Sequence, residues 1–335
     1  MRKTISVFIA SLFMIGFLTA GSATADAPKV IAMSTKPMGG MIYYLAASAA
    51  SIWTKYAGVQ VRVEPMPTIN QWGPLMEAGQ LDLAWENTVT AGGAYRAREF
   101  FRVGDKKLTC YRMLAAGSET LMAWWTRPDT GIKTFQDFVG KRIVVNTPPG
   151  APDTAAIAKY MVDEYLQLGG KYKRLEIGSP AECTRALIEG KIDAYQFVAG
   201  PHIDELRRSV GVVGIPVPKD AAEWEGKKVP GQYPAVVPKG MYGMKEDLPC
   251  IAWRGAFYAS ERLDADLVYK LMDTFYNHLD EFHAVHPRAK QYVLANATKS
   301  ATVPFHEGAI KFYKAKGIWT RELDQIQERN LADGK

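Results

Sequence analysis

From residue 30 onward, short apolar runs alternate with longer amphipathic stretches, the spacing of strand–loop–helix units. In the first cycle, 30–33 is a buried strand, 34–40 a Gly-containing loop and 40–56 a helix. Strands at 59–63 and 81–85 and helices at 70–79 and 88–98 continue it. Residues 112–116 and 120–126 read as two further strands, the second crossing into another lobe. After a turn at 128–131 the order repeats, with strand 141–146, Pro/Gly loop 147–152 and amphipathic helix 153–168. Strand 175–177, helix 180–189 and strand 194–198 follow. The Pro-, Gly- and Lys-rich stretch 211–240 reads as an irregular connector, and 251–259 as a return strand. Residues 263–295 are helical with a break near Pro287, 304–316 form another helix, and the tail after Leu323 a last one that frays. Two cycles of this kind predict an α/β chain with a largely parallel sheet.

The chain begins differently. Arg2 and Lys3 precede an apolar stretch at 7–18, and Ala23-Thr24-Ala25 supplies a small-residue cleavage pattern. The stretch is shorter than the roughly 20 residues that span a bilayer. Residues 1–25 are therefore expected to be a cleaved signal peptide, exported unfolded, since the arginine pair of folded export is missing. Removing 25 of the 335 residues leaves 310, enough for two lobes with separate cores. The signal holds two of the 41 basic residues and no acid, so 39 against 35 leave a net charge of +4. That charge is spread along the chain, which argues against nucleic acid as a partner.

Cys110, Cys183 and Cys250 show no metal or redox spacing. One disulfide with a leftover thiol and three buried unpaired side chains both remain open, the second being the plainer reading. None follows the signal as a lipid anchor would. His278, His283 and His286 fall on one expected helix, where a solvated face is the plainer reading than a metal site.

In open α/β sheets ligands bind at the carboxyl ends of strands, in loops leading into helices. Four loops qualify here. The first is 34–40, where Gly39 and Gly40 let backbone approach a ligand and helix N–H groups favour an anion such as a carboxylate. The second is 67–72, the third Glu86-Asn87-Thr88, and the fourth 146–154 with Asp153 at a helix start. Glu86 is the acid best placed to accept from an amine or hydroxyl. No G-x-S-x-G, Walker loop, G-x-G-x-x-G or H-E-x-x-H occurs. Glu86, Asp153 and His202 are the only acid–base candidates, and no spacing links them.

Together these loops and the C-terminus resemble the TAXI-type solute-binding proteins of tripartite ATP-independent periplasmic (TRAP) transporters. The likeness rests on Gly39-Gly40-Met41-Ile42-Tyr43-Tyr44, on 75–84 (LMEAGQLDLA), on 135–142 (FQDFVGKR) and on Val303-Pro304-Phe305-His306-Glu307-Gly308-Ala309. The last of these is the most discriminating, and places His306 in a structural role. The resemblance implies an α/β, two-lobe periplasmic binding protein-like (type II) fold with a hinge and an interlobe ligand cleft. It implies ligand contacts from Met38, Gly39, Tyr43, Thr68, Asn70, Trp72, Glu86, Asn87 and Thr88 of the first lobe. From the second it implies Thr147, Pro149, Ala151, Thr154, Val198, Ala199 and Gly200.

Three departures bear on the ligand. The second-lobe loop, usually like Gly-Ser-Gly-Thr, is here Gly150-Ala151-Pro152-Asp153-Thr154, so a hydroxyl and an N–H are lost and an acid is gained. Trp72 and Glu86 stand where smaller or neutral polar residues are usual. Relatives favour glutamate-like and other small carboxylates, whereas these changes also admit a bulkier or less acidic solute.

The expectation is thus a monomeric periplasmic receptor, not an enzyme, without cofactor or metal. It captures a small organic solute (a dicarboxylate, keto acid or amino acid) and delivers it to a TRAP-type cation-coupled permease. Lobe 1 is placed at 26–123, lobe 2 at 124–250, and a return strand with C-terminal helices packing mainly on lobe 1 at 251–335. A periplasmic enzyme on the same fold, or a binding protein for an ATP-driven importer or sensor kinase, is the alternative.

Overall fold

The structure, a computed structural model, describes residues 29–145, 152–177 and 179–335. The signal-peptide reading of residues 1–25, and Thr147, Pro149 and Ala151, lie outside the described residues. The first run comprises β1 (Lys29–Thr35), α1 (Met41–Tyr56), β2 (Val59–Pro65), α2 (Ile69–Glu77), β3 (Leu83–Asn87) and α3 (Thr88–Tyr95). The middle of the chain forms β4 (Tyr111–Thr126), β5 (Arg142–Val144), α4 (Pro152–Ala156), β6 (Lys173–Leu175) and α5 (Pro180–Ile188). It continues through β7 (Ala194–Val198), α6 (His202–Ser209), β8 (Val213–Ile215), α7 (Lys219–Lys228), β9 (Tyr233–Val237) and β10 (Leu248–Ser260). Five helices end the chain: α8 (Ala265–Asn277), α9 (Leu279–His283), α10 (Leu294–Ala297), α11 (Glu307–Ala315) and α12 (Arg321–Gly334). None of the described helices is long and apolar enough to cross a membrane.

The strands form one sheet in the order β2-β1-β3-β10-β4-β7-β5-β6, with β8 on β4 and β9 on β10. β1 runs parallel between β2 and β3 and is covered on both faces, so Ile31, Ala32 and Met33 are all buried. β5 is likewise parallel to β6 and β7. The expectation of a largely parallel sheet holds only within these two groups, because β4 and β10 pair antiparallel with each other and with their neighbouring strands.

Those two long strands join the two parallel groups into one sheet. They pair with each other from Tyr111–Ser260 to Met122–Ile251. The C-terminal end of β4 pairs with β7, and the C-terminal half of β10 with β3. The sequence pattern suggested two strands here, split at Gly117-Ser118-Glu119, yet β4 is a single strand of 16 residues. Gly117 serves packing instead of a turn: a Cβ there would lie 2.2 Å from the Tyr292 ring. Ser118 and Glu119 are polar because they meet the Tyr292 and Tyr233 hydroxyls at 3.4 and 2.7 Å.

Around the first group, α1 turns Leu45, Ala46, Ala49, Ala50 and Trp53 inward at helical spacing, and the Trp53 indole donates to the Leu271 carbonyl at 2.9 Å. In the second group, Trp124 and Trp125 point to opposite faces of β4. Trp124 packs with Phe135, Phe138, Ile157, Met161 and the buried side of α7, and Trp125 with Leu187, Tyr195, Ile203 and Leu206 from β7, α5 and α6.

Three expectations are corrected. The stretch 211–240 is ordered as β8, α7 and β9. Its composition misleads because β8 has three residues and β9 carries Pro234, tolerated on a strand that pairs with β10 alone. The helix at 153–168 is α4 followed by a π-helical stretch Ile157–Tyr165. Apolar spacing over two turns does not separate the two geometries. The helical stretch 263–295 breaks not only near Pro287 but into α8, α9, a 3-10 turn at Pro287–Gln291 and α10, which scatters the histidines. His278 ends α8 and stacks on Tyr56 at 3.7 Å, while His286 accepts from the Arg288 N–H at 3.1 Å. The three cysteines are buried and free, Cys110 in one core and Cys183 and Cys250 in another.

One buried group carries a measurable signature. Glu225 on α7 has no exposed surface, and neither carboxyl oxygen has a partner. Burial, with a smaller push from Glu164, raises it to about 8. Between its ordinary 4.5 and 8, the folded state keeps a proton that the unfolded chain has lost, so stability falls as pH rises through that window. Glu225→Gln is expected to flatten this slope by up to about 1.4 kcal/mol per pH unit. Urea melts of both proteins at pH 5, 6.5 and 8 check this, and parallel slopes would contradict it.

Candidate functional site

β1 and β3 are parallel neighbours, with Ser34 opposite Ala84, so the residues just beyond their ends meet. Lys36, one residue past β1, donates to Glu86 Oε2 at 2.7 Å and to the Pro67 carbonyl at 2.8 Å. This one ammonium ties together the loops after β1, β2 and β3. Glu86 is only 1 % exposed, and its other oxygen accepts from the Asn87 backbone N–H at 2.8 Å and the Asn87 amide at 3.2 Å. Asn87 Oδ1 in turn caps α3 by accepting from the Thr90 N–H at 2.7 Å.

The same Asn87 amide nitrogen reaches across to Asp153 Oδ2 of α4, at 3.5 Å. Asp153 accepts from the Thr154 N–H at 3.0 Å, and its carbonyl accepts from the Gln232 amide at 3.1 Å. Burial pushes the Asp153 carboxyl up to about 6; Glu86 adds to the rise, while the Thr154 N–H and Lys36 oppose it. Further out, Lys159 pairs with Glu99 at 2.8 Å, and Arg98 donates to the Lys228 carbonyl. The first and second groups of elements are therefore in contact at the strand ends and at the rim.

Of the residues the sequence singled out, Glu86 and Asn87 lie at the heart of this network. Thr154 and Thr88 adjoin it, both buried, with Thr88 Oγ1 accepting from the Arg254 N–H at 3.4 Å. Met38 is exposed, Gly39 takes a left-handed φ of 85°, and Tyr43 is half-buried on α1. Thr68 caps α2, whose first turn exposes Asn70. Val198 closes β7, Ala199 N–H donates to the Leu121 carbonyl at 2.8 Å, and Gly200 packs near the His202 ring.

Trp72 is placed elsewhere. It has no exposed surface, lies edge-on to Tyr111 at 5.5 Å inside the first core, and offers a solute nothing to touch. The acid–base candidates also part company. Glu86 and Asp153 share Asn87, but His202 packs on Phe197 with the other face of the second group, and burial lowers its imidazole to about 4. His306 caps α11 through the Gly308 N–H at 3.1 Å, as its structural reading expects. Sequence reasoning did not single out Lys36, whose only signal was its place one residue past a strand. It missed Gln232 altogether, because that residue falls in the stretch read as a connector.

A family model described as NMT1-like matches residues 33–317 of this chain. The chain belongs to the NMT1-like family. Its fold is shared by a TctC solute binding protein from Polaromonas, at 14% identity over 79% of this chain and 90% of that one, with a TM-score of 0.52. XAC2383 from Xanthomonas citri, a structure bound to ATP, is similar at 9% identity over 91% and 97% of the two chains, with a TM-score of 0.50. The NMT1-like chain thus has the two-lobe fold of solute-binding proteins, and its buried polar network sits where the first and second groups of elements touch.

Proposed function

We propose that this chain is a periplasmic solute receptor that closes two lobes on a small organic molecule and passes it, unaltered, to a TRAP-type cation-coupled permease. The observation that carries this reading is the Lys36–Glu86–Asn87–Asp153 chain of contacts. Buried polar groups from loops of both lobes converge at strand ends, where an open α/β sheet places its ligand. The hinge is assigned to β4 and β10, with lobe 1 as 26–123, lobe 2 as 124–250 and the remainder leaning on lobe 1. The signal at 1–25 is cleaved, the receptor is a monomer, and Met38, Gly39, Tyr43, Thr68 and Asn70 form the first-lobe rim. The TRAP partner rests on the TAXI-like segments at 39–44 and 303–309.

A thermal-shift screen of the mature chain tests the receptor reading, with small carboxylates, amino acids and amines in the panel. A true solute at a hundredfold excess over its Kd adds about 2.7 kcal/mol of stability. Uptake by cells carrying receptor and permease should follow an ion gradient. Uptake that persists without the gradient and needs ATP would remove the TRAP assignment.

A further inference from the structure

Among the described residues, the charged and amide side chains of the site offer few free donors and several acceptors. Lys36 spends two of its three N–H groups on Glu86 and the Pro67 carbonyl, and both Asn87 amide hydrogens go to Glu86 and Asp153. Against these stand two carboxyl groups with a single ammonium between them.

A second observation points the same way. Gln232 is 4 % exposed, and its amide nitrogen must face the Asp153 carbonyl, because a carbonyl cannot accept from the amide oxygen. That fixes the amide, and Gln232 Oε1 is left buried with no donor among the described residues. An unmet buried acceptor on a side chain that contacts the Asp153 backbone calls for a donor carrying N–H bonds.

We propose that the solute presents a cationic nitrogen head group, a protonated amine, amidinium or guanidinium, to Asp153 and Gln232 Oε1. This rests on the receptor reading and narrows its substrate class, replacing the carboxylate expected from family likeness. A carboxylate head group would meet two acids and one ammonium already engaged, whereas a cation satisfies Asp153 and the orphaned amide oxygen together.

The charged groups that act on Asp153 are Glu86 from β3 and Lys36 from the loop after β1. Asn87 and Gln232, which also touch it, do not titrate. With the free carboxyl raised to about 6, cation affinity should grow as pH rises from 5 to 7.5 and a carboxylate's should fall.

The experiment is a thermal-shift and calorimetric panel on the mature chain at pH 5.0 and 7.5. Agmatine, arginine, choline and spermidine form one arm, and malate, 2-oxoglutarate and pyruvate the other. The expected result is saturable binding from the cationic arm, stronger at pH 7.5, and weakened roughly 100-fold by Asp153→Asn. Gln232→Met, which removes the acceptor and keeps the volume, should weaken it about tenfold and serves if the first variant does not fold. Binding confined to the carboxylate arm would overturn the cation assignment and leave the receptor reading standing. Cation binding unchanged in both variants would also overturn it. Silence in both arms, with no solute carried through purification by native mass spectrometry, would overturn the assignment and the receptor reading together.

Discussion

Lys36→Met is expected to destabilise the protein by about 3 kcal/mol, because it leaves the Glu86 carboxylate, 1 % exposed, without the one cation that pairs with it among the described residues. A surface ion pair would cost far less, with a typical worth of about 0–1 kcal/mol. The difference lies in burial: Lys36 is itself 23 % exposed, but its partner is shut off from water. Asn87 supplies Glu86 with two hydrogen bonds, and these do not neutralise the charge. The double variant Lys36→Met/Glu86→Gln removes the charge as well and should recover most of the loss. Urea melts of the two single variants and the double variant measure the coupling. A loss below about 1 kcal/mol in Lys36→Met would mean that Glu86 is not held by this pair.

Trp72→Ala should cost about 3–5 kcal/mol, the range for a large aromatic side chain removed from a packed interior. Trp72 is sealed beneath α2 against Tyr111, which in turn meets Tyr95 and Tyr258 edge-on at 6.1 and 5.7 Å. The indole nitrogen has no partner, so Trp72→Phe removes an unmet donor and keeps most of the packing. That variant should melt near the wild type and bind any solute equally well. An Ala variant that folds normally and loses only solute binding would return Trp72 to the ligand set.

Much of the fold was legible because strands leave local patterns, a continuous apolar run where both faces are buried, as at 31–33, and alternation at the sheet edge, as at 59–63. The segments 30–33, 59–63 and 194–198 were read as strands and are β1, β2 and β7, and helices α1 and α5 were found within a residue or so of their ends. What failed were features whose cause lies far away in sequence. Gly117 looks like a break until Tyr292 is seen to need the space. β9 looks like a loop until β10 is there to pair with it. α7 buries Ala221, Ala222 and a charged residue, Glu225, so its inward face does not read as apolar.

The site divides in the same way. Glu86 and Asn87 were legible because a strand ends there and a helix begins. Asp153 stood out as an added acid, but its closeness to Glu86 depends on how two lobes meet, and no local pattern carries that. Gln232 is joined to the site through one hydrogen bond from its amide, across 79 residues of sequence.

The most direct test is an equilibrium titration of the mature chain with whichever compound stabilises it most, followed by mass analysis of that compound after release. One molecule bound per chain, reversibly and recovered unaltered, is the predicted result. Conversion of the compound into a product by the purified chain, or stabilisation that never saturates, would contradict the receptor account.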